Sequence, residues 1–333
     1  MIPHSKPDIG AEEIGAAARV LESGMLAQGR EVEAFETECA AFLGRRHAVA
    51  TSSGTAALHL ALIALGAGEG DAVALPAYAC AALLQPVTWL RARPVLCDAG
   101  PDCNLDADGV PESARAVVAA HLFGKPGPVP YAERAVEDIA QSFGGPTGRA
   151  GRIAVASFYA TKLLTTGEGG MLVTDDAGVA ELARDLRDYD NRDDFRPRYA
   201  CKMTEFQAAV GRVQLTRLPG FIARRREIAA RYTEAFAGLP LGLPDATGHV
   251  FFRYVLRTAR REALGAHLVA GGVEAKRPVY RPLHHYTGDT CDSAETAHDE
   301  CLSIPIYPAL TSQEAGNVIY SVQSFFGERE ASY

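Results

Sequence analysis

The sequence lacks an excess of positive charge. Its 33 Lys and Arg face 41 Asp and Glu, for a formal net charge of −8. A polyanion-binding surface normally needs the opposite balance, so nucleic acid is not an expected partner. A few local donors can still hold a phosphorylated small molecule. Also missing is any run of roughly 18 apolar residues, so no membrane partner is expected. The opening MIPHSKPDIG has no apolar export core, which makes a cytoplasmic location the expectation. The seven cysteines, Cys39, Cys80, Cys97, Cys103, Cys201, Cys291 and Cys301, are odd in number and form no CxxC pair. Reduced thiols are therefore expected, with neither a disulfide framework nor a metal site. No internal repeat or low-complexity linker interrupts the chain.

What is there is an ordinary globular composition, 47% hydrophobic and 22% charged over 333 residues. That length fits a large α/β domain followed by a smaller one. Residues 10–44 carry two helical patterns, ending at Gly24 and Gly44. HAVATSSG then predicts a strand entering a turn, and TAALHLALIALG a helix. AVALPAY, PVLCDAG, AVVAAHLFG, RAVEDIA and IAVASFYA repeat one plan, a short apolar run ending in polar or small residues. GGMLVTDD predicts a strand leaving a tight turn, and a long helix is expected from about Thr204 to Phe236. The fold class expected is α/β, a mostly parallel sheet covered by helices on both faces. Residues 1–238 are assigned to this domain. Residues 239–333, with the strand-like HVFFRYVLRT, are assigned to a smaller α+β domain.

Three segments carry chemistry. In TSSGTAALHLAL (51–62), small residues between a strand and a helix leave backbone N–H groups free to meet a phosphate, and Ser53 and Thr55 add hydroxyls. The same residues also make a good turn and N-cap. In VEDIAQSFGG (136–145), Asp138 stands at a strand end, where a carboxylate can keep a heterocyclic nitrogen protonated; an N-cap is the plainer alternative. In ASFYATKLLTTGEGGMLVT (156–174), Lys162 follows a strand and precedes a glycine-rich turn, and Ser157 lies five residues earlier. A partly desolvated lysine beside a cationic ring is an amine nucleophile or base. A lone lysine is usually a surface group, but three such segments in this order point to a cofactor site.

With these segments, the opening PDIGAEEIGAAARVLESGMLAQGREVEAFE, MTEFQAAVGRVQL and the late ECLSIPIYPALT, the chain resembles the DegT/DnrJ/StrS sugar aminotransferases. These are fold-type I enzymes dependent on pyridoxal 5′-phosphate (PLP). The similarity runs from about Pro7 to Phe326. It implies that Lys162 is the covalent attachment point for PLP and the proton carrier. It implies that Asp138 pairs with the ring nitrogen, that Gln141 lies near the ring hydroxyl, and that Gly54, Thr55, Ala56 and Ser157 hold the phosphate. A subset of the family has His at the lysine position and runs dehydrations, so Lys162 favours transamination. The implied reaction moves an amino group from an amino-acid donor, glutamate or glutamine, to a keto sugar or related cyclic ketone, in a homodimer. A PLP-dependent lyase, dehydratase or cyclase is the alternative, and a non-catalytic PLP-binding sensor or scaffold the alternative of another class.

Two segments depart from the family pattern. A ring-stacking aromatic residue is replaced by Cys80, so either Tyr78 turns inward to take its place or only a small thiol covers the ring. The N-Y-R-M segment, whose Asn reaches the neighbouring subunit's phosphate, reads Ala200-Cys201-Lys202-Met203, leaving Lys202 as a point charge. The stretch between His121 and Asp138 is short, as if a surface helix had been trimmed. His284 and His285, in RPLHHY, are candidate substrate contacts, and His121 is either a packed histidine or a neighbour of the cofactor. Lys276, Arg277, the loop 188–194 and Arg224–Arg226 are expected to be solvated surface.

Overall fold

The computed structural model describes residues 1–327; the last six residues of the 239–333 assignment lie outside the described residues. Two helices open the chain, α1 (Ala11–Ser23) and α2 (Arg30–Leu43). Each is stopped by a left-handed glycine, Gly24 at φ 70° and Gly44 at φ 66°, a conformation that costs a residue without a Cβ nothing. There follow β1 (His47–Thr51), α3 (Gly54–Ala64), β2 (Ala72–Pro76), α4 (Leu84–Trp89), β3 (Arg93–Cys97), β4 (Ala116–Ala120), β5 (Ala135–Asp138), β6 (Ile153–Ser157) and β7 (Gly170–Thr174).

These strands form one seven-stranded sheet in the order β1-β7-β6-β5-β4-β2-β3. Strands β2 to β6 pair in parallel, and β7 runs antiparallel to both its neighbours. Strand residues alternate between two cores. Val49, Val155 and Leu172 face α3, while Ala48, Ala50, Ala154, Ala156 and Met171 pack with Phe35 of α2. All five residues of β4 are buried, as a sheet covered on both faces requires. Only two short 3₁₀ turns, Leu122–Gly124 and Ala132–Arg134, connect β4 to β5. The short spacing there leaves no room for a crossover helix.

The chain continues through α5 (Ala177–Leu186) and the long α6 (Glu205–Phe236), which opens with a Thr204–Gln207 capping box. Next come β8 (Tyr254–Arg257), α7 (Arg261–Ala270), α8 (His284–Thr287), α9 (Asp292–Glu300), β9 (Cys301–Ile304) and α10 (Ser312–Gly327). β8 and β9 make a two-stranded antiparallel sheet with its own apolar core, which also takes in Ile2 from the chain's start.

Two expectations need correction here. Only Tyr254–Arg257 of HVFFRYVLRT is a strand. The residues before it turn, because their carbonyls are taken by arginines of α6. Of those three arginines, expected to be a solvated face, Arg226 is exposed and Arg224 half-buried, but Arg225 is not solvated. Arg225 is 3% exposed and donates to the carbonyls of Phe251 (3.2 Å), Phe252 (3.3 Å) and Ile306 (2.7 Å). Arg226 donates to His249 O at 3.0 Å and Arg224 to Leu310 O at 2.9 Å. Burial without a carboxylate partner draws the Arg225 guanidinium down to about 9.

Candidate active site

One pocket, about 260 Å³, gathers groups from three strand ends and one helix start. Its floor is where β1 turns into α3. Ser53 caps α3 by accepting the Ala56 N–H at 3.1 Å. Gly54 and Thr55, first in the helix, keep N–H groups that no carbonyl of the helix can reach. They sit at the positive end of the helix dipole, beside Ser157 at the end of β6. The packing there is close. A Cβ on Gly54 would lie 2.7 Å from Ser157 Cβ, and one on Gly170 would lie 2.3 Å from the Ser53 carbonyl. Both glycines are needed for the β1–α3 turn to press against β6 and β7.

The carboxylate of Asp138 accepts the Ala140 N–H at 2.9 Å through one oxygen, which leaves the other for the pocket. Gln141 accepts the Phe123 N–H at 2.7 Å, which leaves its NH₂ for the pocket. Lys162 enters from the turn after β6, its amine 5.3 Å from the centre of the Phe252 ring. Burial lowers the lysine's pKa and raises the Asp138 carboxyl's, and the charge of each opposes the shift in the other. Behind them, His121 bonds Glu137 at 3.0 Å and accepts the Gly127 N–H at 2.9 Å. It is a packed histidine that does not line the pocket. Glu137 also accepts from Gly148 and Gly151, which with His121 holds its carboxyl below the usual range despite burial.

The arrangement can hold an anion at the start of α3, a cationic ring nitrogen at Asp138 and an electrophilic carbon at Lys162. A larger cavity, about 390 Å³, is lined by Cys103, Lys125, His249, Arg257 and Cys301. Its cations are already engaged, Lys125 by Asp245 and Arg257 by Glu300.

Not every candidate reaches the pocket. Tyr78 does not cover it: the ring is fully buried against Phe123, and its hydroxyl donates to Ala297 O at 3.2 Å. Cys80 lines the pocket in its place, the one exposed cysteine among the described residues. The Ala56 N–H is spent on the Ser53 cap. Lys202 lies outside its own chain's pocket, paired with Asp188 at 2.9 Å and Asp190 at 3.3 Å. His284 and His285 are also outside; both bond Glu295. Arg277 is bound to His298 and Glu262, and Lys276 to Glu274. Sequence reasoning missed Tyr159 and Glu168, which line the pocket's mouth. Their signal was proximity to Lys162 and, for Glu168, a place between glycines in the turn.

Residues 7–323 match the model of the DegT/DnrJ/EryC1/StrS aminotransferase family. The chain is 35% identical to the dTDP-3-amino-3,4,6-trideoxy-alpha-D-glucose transaminase of Streptomyces venezuelae, over 96% of this chain and 93% of that one. The aminotransferase TlmJ from Streptoalloteichus hindustanus superposes with a TM-score of 0.92 at 32% identity, covering 99% of this chain and 100% of the other. DesV from S. venezuelae, solved in complex with a ketimine intermediate, gives 0.88 at 34% identity, covering 95% and 94%.

Proposed function

The chain belongs to the DegT/DnrJ/EryC1/StrS aminotransferase family, and from that premise we propose that it transfers an amino group from an amino-acid donor, glutamate or glutamine, to a nucleotide-linked keto sugar. Enzymes of this family depend on PLP. The observation that carries the reading is one pocket holding both the Lys162–Asp138 pair and the free start of α3.

The residues present fit the cofactor. Gly54 N–H, Thr55 and Ser157 would bind its phosphate, Asp138 its ring nitrogen and Gln141 its ring hydroxyl. Lys162 would be its covalent anchor. When bound, PLP supplies an electrophilic aldehyde carbon and a cationic ring that withdraws electrons from the carbon losing its proton. The protein's own part is positioning and proton handling. Asp138 would hold a positive charge on the ring nitrogen. Lys162, its pKa lowered by burial, offers a neutral amine that can take and return a proton. The start of α3 would fix the phosphate and so orient the cofactor toward that amine. A sugar substrate is supported by the transaminase relative from S. venezuelae, and by a pocket mouth edged with the polar Tyr159 and Glu168.

Borohydride reduction of the yellow protein followed by peptide mapping tests the anchor: the label belongs on Lys162. Incubation with glutamate or glutamine alone should then yield pyridoxamine phosphate, and adding a nucleotide-linked keto sugar should return PLP and release the amino sugar. A label on another lysine, or no pyridoxamine phosphate with any donor, would overturn the reading.

A further inference from the structure

We propose that His284, His285 and Glu295 form a binding site for a divalent metal ion of the zinc type. The Nε2 atoms of both histidines converge on Oε2 of Glu295, at 2.8 Å and 2.5 Å, and the three ligand atoms lie within 4.8 Å of one another. A tetrahedral ion about 2.1 Å from each donor would hold them on the order of 3.4 Å apart, so a small opening of the cluster admits one. His284 is buried, and its Nδ1 has no partner among the described residues, so this side chain acts through Nε2. Glu295 and His285 are partly exposed, at 47% and 31% of their side chains, which gives an ion a way in.

The donors sit on two pieces of chain that are anchored separately. The turn carrying the histidines is tied to the end of β2, where Leu283 N–H donates to Ala77 O at 2.9 Å, and Gly288 closes it in the left-handed region at φ 81°. Helix α9, which carries Glu295, is held at its start by Asp98, which accepts the Ser293 and Ala294 N–H groups at 3.0 and 2.8 Å. The Tyr78 hydroxyl fixes its far end through Ala297 O. Donors held in place before binding are what a metal site needs.

Two imidazoles and one carboxylate suit zinc and its neighbours, with water completing the shell. Calcium and magnesium prefer all-oxygen cages. The nearby cations do not fill the site. Arg277 donates to His298 and Glu262, and Arg281 to the His285 carbonyl at 2.7 Å. His298 is thereby engaged through Nε2, and it is not among the three converging donors. An ion here would clamp α8 to α9, both of which pack on the residues after β2 that lead to Cys80 in the pocket wall. The proposal does not depend on the substrate assignment.

The test titrates zinc into the tag-free, PLP-loaded full chain by calorimetry, with metal analysis after dialysis and X-ray absorption at the zinc edge. One ion per chain is expected, with imidazole nitrogen and no sulfur in its shell. Glu295→Gln and His285→Asn should each weaken binding about tenfold or more. Absence of saturable binding, a sulfur ligand, or affinity unchanged in both variants would overturn the site. Should either variant misfold, the absorption spectrum of the unaltered protein decides, since a shell without imidazole refutes it.

Discussion

At Lys162 and Asp138, desolvation and mutual charge pull in opposite directions, and desolvation prevails in both. A lysine whose pKa is below its ordinary 10.5 is neutral over a wider range of pH, and the neutral amine is the form that adds to an aldehyde. Uptake of PLP by the apoprotein should therefore reach its maximal rate at lower pH than for a free lysine side chain. A stopped-flow pH profile with its midpoint at or above 10.5 would contradict the shift. The carboxyl behaves inversely. Its raised pKa describes a group waiting for a cation, and a ring nitrogen held protonated would restore its ionised form. Asp138→Asn removes that charge and keeps the shape. The loss is expected in turnover more than in cofactor affinity, at about 3–4 kcal/mol of barrier, or a few hundredfold in single-turnover rate. Turnover at the unaltered rate would refute the pairing.

At the level of elements, the site depends on how closely the β1–α3 turn approaches β6 and β7. Gly54→Ala places a methyl 2.7 Å from Ser157 Cβ, between two of the proposed phosphate donors. The turn or the serine must shift, so PLP affinity should fall about tenfold, as for one good hydrogen bond lost. Titration of PLP into the apo variant checks this, and unchanged affinity would show that the cradle lies elsewhere. Such local features were legible in the sequence. A helix start, a strand-end carboxylate and a lysine before a glycine turn are each set by residues within a few positions. The roles of Arg225, Tyr78 and His285 were not, because distant partners decide them. Arg225 is buried by Phe251 and Ile306, Tyr78 is drawn inward by Ala297, and His285 is held by Glu295. RRR on a helix looks solvated until the chain 26 to 81 residues further on supplies carbonyls. The alternation of strand and helix revealed the sheet, but not which strand would run against the others.

For the whole molecule, acid and association are the informative perturbations. His4 is buried against Ser303 and Arg253, and His249 is stacked on Phe251 with Nδ1 accepting that residue's N–H. Burial lowers each from 6.5 to about 3. Between those values the unfolded chain binds more protons than the folded one, so stability is full above pH 6.5 and falls as pH drops toward 3. The melting temperature should decline over that window, and less steeply in His249→Asn, whose amide oxygen can still accept the Phe251 N–H. An equal slope in the variant would show that other groups govern acid unfolding. Association bears directly on the site. In its own chain Lys202 lies outside the pocket, on a segment preceded by an exposed loop that carries Tyr189 and the fully exposed Phe195. Met25, after α1, is exposed as well. Apolar side chains left to water in this way are what a twofold interface would cover, and such an interface could bring each Lys202 to its partner's phosphate site. We expect a dimer by light scattering at micromolar concentration. Ala200→Asn, which restores an amide near that boundary, should tighten PLP about fivefold, the equivalent of one hydrogen bond. A fully active monomer would refute the shared site. Tighter PLP in a monomeric Ala200→Asn would place the amide's effect within one chain.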